Sequence, residues 1–240
     1  YLFLRRFLLG KIGHAPNFSS LLKYSGATLI QGVALTSMYS MDLVLVKHFF
    51  SPSDAGVYAS IAVLGRIIFF GSSPVSQAMF PIIAKKYHEN QNYKQVFYLS
   101  IIFVIIFCTI LSLIYFFIPS LPIGILFGKE YLDGGYLLGW YGLFATFLSL
   151  AMLLTQFFLS IGKLKVVYIF LGAAFLQVAL IINFHHSLLD IIKVSIIAVS
   201  LLNIILFVYF LLTKNEKETI SSSPGIQTRK NYTKGSYNYR

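Results

Sequence analysis

The sequence predicts an all-α integral membrane protein folded as a six-transmembrane-helix bundle, and three observations carry that prediction. The 240 residues are 57% hydrophobic and 11% charged, with a mean hydropathy of +0.76, whereas a soluble domain carries roughly 25% charged residues. Six apolar segments follow one another, each near the ~20 residues that a spanning helix needs. The loops between them alternate in Lys and Arg content without a break. The net charge of +11 does not point to nucleic acid. Its cations lie in short loops and a terminal tail, not on a nucleic-acid-binding face or motif.

In chain order, residues 1–24 mix apolar positions with Arg5, Arg6, Lys11 and Lys23, and Ala15-Pro16-Asn17 breaks the run. Too short and too charged to span, this stretch reads as an amphipathic cytoplasmic linker on the membrane surface. The spans fall at about 25–47, 55–84, 96–119, 137–161, 166–184 and 191–212. The second exceeds an upright crossing, so Pro74 and Pro81 predict a tilt or bend there. Residues 213–240 turn abruptly polar and basic and read as a disordered cytoplasmic tail. Its six Lys/Arg can attract anionic membrane lipids at roughly 1 kcal/mol each near the surface.

Orientation follows from the cations. One set of loops holds Arg5, Arg6, Lys11, Lys23, Lys85, Lys86, Lys94, Lys163, Lys165 and the tail; the other holds only Lys47, Lys129 and Lys193. The positive-inside rule then places both termini in the cytoplasm. The chain begins with Tyr1 and shows no signal-peptide pattern, so a piece of a longer protein is expected.

Two charges stand where a spanning helix should carry none, Asp42 in the first span and Arg66 in the second. Each costs at least about 2.5 kcal/mol on insertion scales, so such groups pair, or face a water-filled cavity. Asp42 lies roughly 8 Å below the outer interface, at about 1.5 Å per residue, and Arg66 deeper, so a long Arg could reach the Asp. Gln31 and Asp42, eleven residues apart, share a helix face with Tyr39 close by. Arg66, Ser73 and Gln77 repeat the pattern in the second span, with Ala59 and Ala62 continuing the stripe. Gly142, Ser149, Gln156 and Ser160 form a fainter stripe in the fourth, where simple helix packing explains small residues as well. The remaining spans read as scaffold. Arg66, a forked and permanently charged donor, suits phosphate.

Nothing in the sequence spells catalysis. It contains no D-D-x-x-D, H-E-x-x-H, G-x-S-x-G or Walker motif. Cys108 is single and intramembrane, and His185-His186 with Asp190 is too few ligands for a metal. No enzyme, no catalytic residue, no metal and no cofactor are predicted.

The run D-L-V-L-V-K-H-F-F-S-P-S-D-A-G-V-Y-A-S-I-A-V-L-G-R, from Asp42 to Arg66, resembles the polysaccharide transporter family, the Wzx-type O-antigen and capsule flippases. Further matching segments are Q-A-M-F-P-I-I-A from Gln77, I-L-F-G-K-E-Y from Ile125 and L-S-I-G-K-L-K from Leu159, and the resemblance covers about residues 20–212. That family belongs to the multidrug/oligosaccharidyl-lipid/polysaccharide exporter superfamily, whose members hold two six-helix bundles around a central cavity. The resemblance implies that this chain is the C-terminal half of a transporter with twelve or more helices, its N-terminal six-helix bundle missing. It implies a flippase for an undecaprenyl-diphosphate-linked oligosaccharide in a bacterial or archaeal cytoplasmic membrane, beside polysaccharide polymerase and glycosyltransferases. The first two spans of such a bundle line the cavity, which makes Arg66, Asp42, Gln31, Tyr39, Ser73 and Gln77 the candidate substrate-binding residues. A cation-coupled multidrug exporter of the same superfamily, or a non-transporting membrane assembly subunit, are the alternative functions.

Overall fold

A tight reversal written in the local sequence sets up the first half of the fold. A computed structural model describes residues 18–222. Helix α1 (Phe18–Phe49) stops just before Ser51, which is extended and accepts the Asp54 N–H at 3.2 Å. Pro52 occupies the first turn of α2 (Pro52–His88), where its missing N–H is no loss. After α3 (Lys94–Phe117) come a short α4 (Ser120–Leu126) and a 3-10 helix (Lys129–Gly134), then α5 (Gly135–Ser160), α6 (Val166–Asn183) and α7 (Leu188–Ser222). Gly128 (φ 89°, ψ 178°) and Gly162 (φ 78°) take positive φ values that glycine tolerates, just past the ends of helices α4 and α5. Gly162 N–H donates to Leu159 C=O at 3.0 Å and Lys163 N–H to Phe158 C=O at 2.9 Å, closing the last turn. The glycines of I-L-F-G-K-E-Y and L-S-I-G-K-L-K are therefore helix stops.

All six expected spans are present as helices long and apolar enough to cross a membrane, and among the described residues there is no strand. The helices overrun the expected apolar limits. α1 begins at Phe18, inside the expected linker, and α7 reaches Ser222, because no Pro or Gly intervenes between 213 and 222. The rest of the expected linker and tail, 1–17 and 223–240, lies outside the described residues. Helix α2 continues through both prolines. The Phe70 carbonyl, whose usual donor Pro74 lacks, accepts the Ser73 hydroxyl at 3.1 Å.

Helix α5 is the hub. It packs against α2, α3 and α7, while α1 lies on α6 and α6 on α7. Most of α5 is buried, whereas α3 leaves large apolar side chains such as Leu99, Phe103 and Ile110 exposed. The α5 stripe does pack, as its small residues suggest. Gly142 lies against Ser112 and Tyr115, and Ser149 Oγ sits 2.9 Å from Ser72 Oγ. Lipid offers no hydrogen bonds, and several polar groups find their partners on a neighbouring helix. Ser112 pairs with Thr146 at 2.8 Å, the Tyr115 hydroxyl donates to Leu64 C=O at 2.9 Å, and Asn203 Nδ2 donates to Phe147 C=O at 2.9 Å.

Packing also gathers the basic loops at one end. There Tyr24 meets Phe80 with ring centroids 6.4 Å apart, Phe80 packs on the Ala27–Leu159–Val167 cluster, Tyr93 meets Phe157 at 6.2 Å, and Lys163 Nζ lies 5.4 Å from the Tyr209 ring centre. At the opposite end Phe49 stacks on His185 at 4.0 Å, alongside the turns that carry Lys47 and Lys129.

Candidate functional site

The polar groups of α1 and α2 meet in two layers near the end that carries the Ser51 turn. The first layer is centred on Asp42, which is fully buried. Its Oδ1 accepts the Leu43 N–H at 2.7 Å, and its Oδ2 accepts the Tyr58 hydroxyl at 2.9 Å and the Tyr141 hydroxyl at 2.8 Å. Three donors from three helices' worth of backbone and side chain thus replace the water that a carboxylate loses in the bilayer. Tyr58 and Tyr141 each lie in the second turn of their helix, α2 and α5, and their rings meet edge-on with centroids 5.9 Å apart.

The second layer is centred on Arg66, two turns deeper along α2 and half-buried. None of the donors to Asp42 is Arg66. Its Nη2 donates to the Tyr39 backbone carbonyl at 2.9 Å, and its guanidinium carbon stands 5.6 Å from the Tyr39 ring centre, within cation–π range. Tyr39 is itself wedged against Phe69 and Phe70, each at 5.8 Å. Arg66 Nε is buried and has no hydrogen-bond partner. A small gap beside it is lined by Tyr39, Phe69, Tyr141, Phe144 and Leu148.

The other sequence-predicted residues divide. Gln31 and Asp42 do share a face, together with Ala34, Met38 and Val46, but all five are buried. That face is the one by which α1 packs on its own bundle, because the carboxylate finds its donors there. Ser73 is buried, and its hydroxyl lies 3.5 Å from Gln77 Nε2, while Gln77 is exposed, as is the neighbouring Pro74. Arg66, Tyr39, Ser73 and Gln77 therefore form a partly accessible stripe, and Gln31 and Asp42 a buried one.

Three polar residues outside the predicted set matter as much. Tyr58 and Tyr141 complete the Asp42 layer, and Gln177 on α6 donates to Met38 C=O at 3.1 Å and to Ser195 Oγ at 3.0 Å. Tyrosine in a membrane protein reads as an interfacial anchor and a lone Gln as scaffold. The one sequence signal available was the need of Asp42 for partners.

Six apolar helices long enough to cross a membrane, one of them the hub on which three others pack, define a multi-pass membrane protein. Within that class the chain belongs to the polysaccharide biosynthesis protein family, which residues 11–134, just over half of the chain, match. The matched stretch runs through α1, α2 and α3 to the 3-10 helix, and so includes both Asp42 and Arg66. No curated protein and no solved structure matches the chain.

Proposed function

We propose that this chain is the C-terminal six-helix bundle of a flippase that carries an undecaprenyl-diphosphate-linked oligosaccharide from the inner to the outer leaflet of the cytoplasmic membrane. Glycosyltransferases would supply that substrate and a polysaccharide polymerase would consume it. The observation that carries the reading is Arg66. A permanent cation sits within a span, its Nε without a partner and its Nη2 on a backbone carbonyl rather than on the carboxylate two turns away. A guanidinium left with unused donors in a low-dielectric site is suited to a diphosphate or an acidic sugar. Tyr39, Ser73 and Gln77 extend the same stripe and would contact the headgroup. Family membership supports the polysaccharide side of this reading. The basic end, with Lys23, Lys85, Lys94 and Lys163, would face the cytoplasm.

A cationic-drug exporter fits less well, because the intramembrane carboxylate is enclosed while the cation is the accessible charge. Exchange of Arg66 decides the matter. In the intact protein Arg66→Ala should cut surface polysaccharide by at least about tenfold, the loss of one charge-assisted contact, with membrane levels unchanged and lipid-linked oligosaccharide accumulating. Arg66→Lys should retain part of the output, since the charge stays while the fork is lost. Wild-type output from Arg66→Ala overturns the reading. Unchanged lipid-linked oligosaccharide with failed polymer assembly would instead favour a non-transporting assembly subunit.

A further inference from the structure

The Asp42 layer and the Arg66 layer share one hydroxyl. Tyr141 reaches in from α5, and its O–H donates to Asp42 Oδ2 at 2.8 Å. The same side chain is hydrogen-bonded to the Arg66 guanidinium. The two residues also line one small gap together with Tyr39 and Gly65. Position 65 suits glycine for this approach, because a Cβ there would overlap the Tyr141 ring. A tyrosine hydroxyl has one proton and two lone pairs, and a guanidinium has only N–H groups to offer. With the proton given to Asp42, the oxygen is what remains for Arg66. The chain therefore runs in one direction, from guanidinium N–H to Tyr141 oxygen and from Tyr141 O–H to the carboxylate. The charge at its acidic end polarises the very oxygen that the cation uses. Tyr58 donates to the same carboxylate oxygen at 2.9 Å, but of the two hydroxyls it is that of Tyr141 that also bonds Arg66.

We infer that Tyr141 is a positioning residue for Arg66, and that Asp42 acts on Arg66 through the Tyr141 hydroxyl. By taking the Tyr141 proton, the carboxylate presents the hydroxyl oxygen to the guanidinium. That oxygen on α5 and the Tyr39 carbonyl on α1, which accepts Nη2 at 2.9 Å, hold the cation of α2 between them, while Nε stays without a partner. Two opposite charges are thus joined through one hydroxyl instead of by an ion pair. The functional meaning of this hold rests on the proposal that Arg66 binds the anionic headgroup, but the hold can be measured on Arg66 itself.

The test is modification of Arg66 by phenylglyoxal in membrane vesicles containing the intact protein, with the adduct quantified by peptide mass spectrometry. Tyr141→Phe keeps the ring and removes the shared oxygen. It should raise the initial modification rate of Arg66 about fivefold, the population change that loss of one hydrogen bond permits. Tyr58→Phe is the matched control, since it takes one donor from the same carboxylate oxygen and leaves the Tyr141–Arg66 bond in place; its rate should stay near that of the wild type. A purely structural role for Tyr141 predicts equal rates in the two. Gln177→Leu releases Met38 C=O on α1 and controls for loosening of the bundle; it too should leave the rate unchanged. If Tyr141→Phe does not accumulate, Asp42→Leu, which takes away the acceptor of the Tyr141 proton and so lets the hydroxyl turn, should show the rise in its place. An unchanged rate in whichever of these two variants accumulates overturns the inference, and so does an equal rise in either control. Normal polysaccharide output from Arg66→Ala would remove the headgroup role yet leave the labelling result standing, so the two failures are distinguishable.

Discussion

Gly65→Val should yield little or no folded protein, and even Gly65→Ala should melt well below the wild type. A Cβ at position 65 would fall within the ring of Tyr141, which is 1% exposed and packed edge-on against Tyr58 at 5.9 Å and Phe144 at 5.4 Å. The ring's hydroxyl is bonded to Asp42, so pushing the ring aside strains that bond as well. Overpacking costs about 1–3 kcal/mol and a lost hydrogen bond to a charged group about 1.5–3 kcal/mol, so a combined effect of roughly 3–6 kcal/mol is expected for alanine. The matching control is Gly32→Ala in α1, where a Cβ meets nothing within 4 Å. There the better helix propensity of alanine should leave stability equal or slightly improved. Thermal unfolding of the purified protein in detergent reads both. A Gly65→Ala melting curve that coincides with the wild type would show that Tyr141 is not held where its contacts place it.

The contrast between these two glycines illustrates what the sequence disclosed. Both sit in apolar helices and look alike in a hydropathy profile; only the helix that crosses at position 65 separates them. The spans were legible because lipid imposes length and apolarity on each helix separately, and the alternating cations counted them. Arg66 and Asp42 were legible because a charge in a span is costly wherever it falls. Their partners were not. Opposite charges on adjacent helices suggested a pair, but Asp42 is satisfied by Leu43, Tyr58 and Tyr141, the last of them 99 positions away, and Arg66 by a backbone carbonyl. Helix periodicity correctly put Gln31 and Asp42 on one face, yet periodicity is silent on whether a polar face looks into a cavity or into the protein's own core. That choice depends on which neighbour brings donors, and here α5 does so with a tyrosine that composition alone would assign to the membrane interface. Gln177 escaped notice for the same reason, its value lying in the proximity of Met38 and Ser195.

The Asp42 layer should behave as one unit, and a set of apolar exchanges can show it. Asp42→Leu alone leaves two buried hydroxyls without an acceptor, and Tyr58→Phe/Tyr141→Phe alone leaves a buried carboxylate with one donor. Each is expected to lower stability by several kcal/mol, since hydrogen bonds to charged groups contribute about 1.5–3 kcal/mol apiece and an orphaned polar group adds its desolvation cost. The triple exchange Asp42→Leu/Tyr58→Phe/Tyr141→Phe removes the carboxylate together with both hydroxyls that it accepts, and an apolar cluster of similar shape suits a lipid-facing bundle. It should therefore melt close to the wild type, far above the sum of the two partial changes. A triple variant as unstable as that sum would mean that the three residues contribute separately.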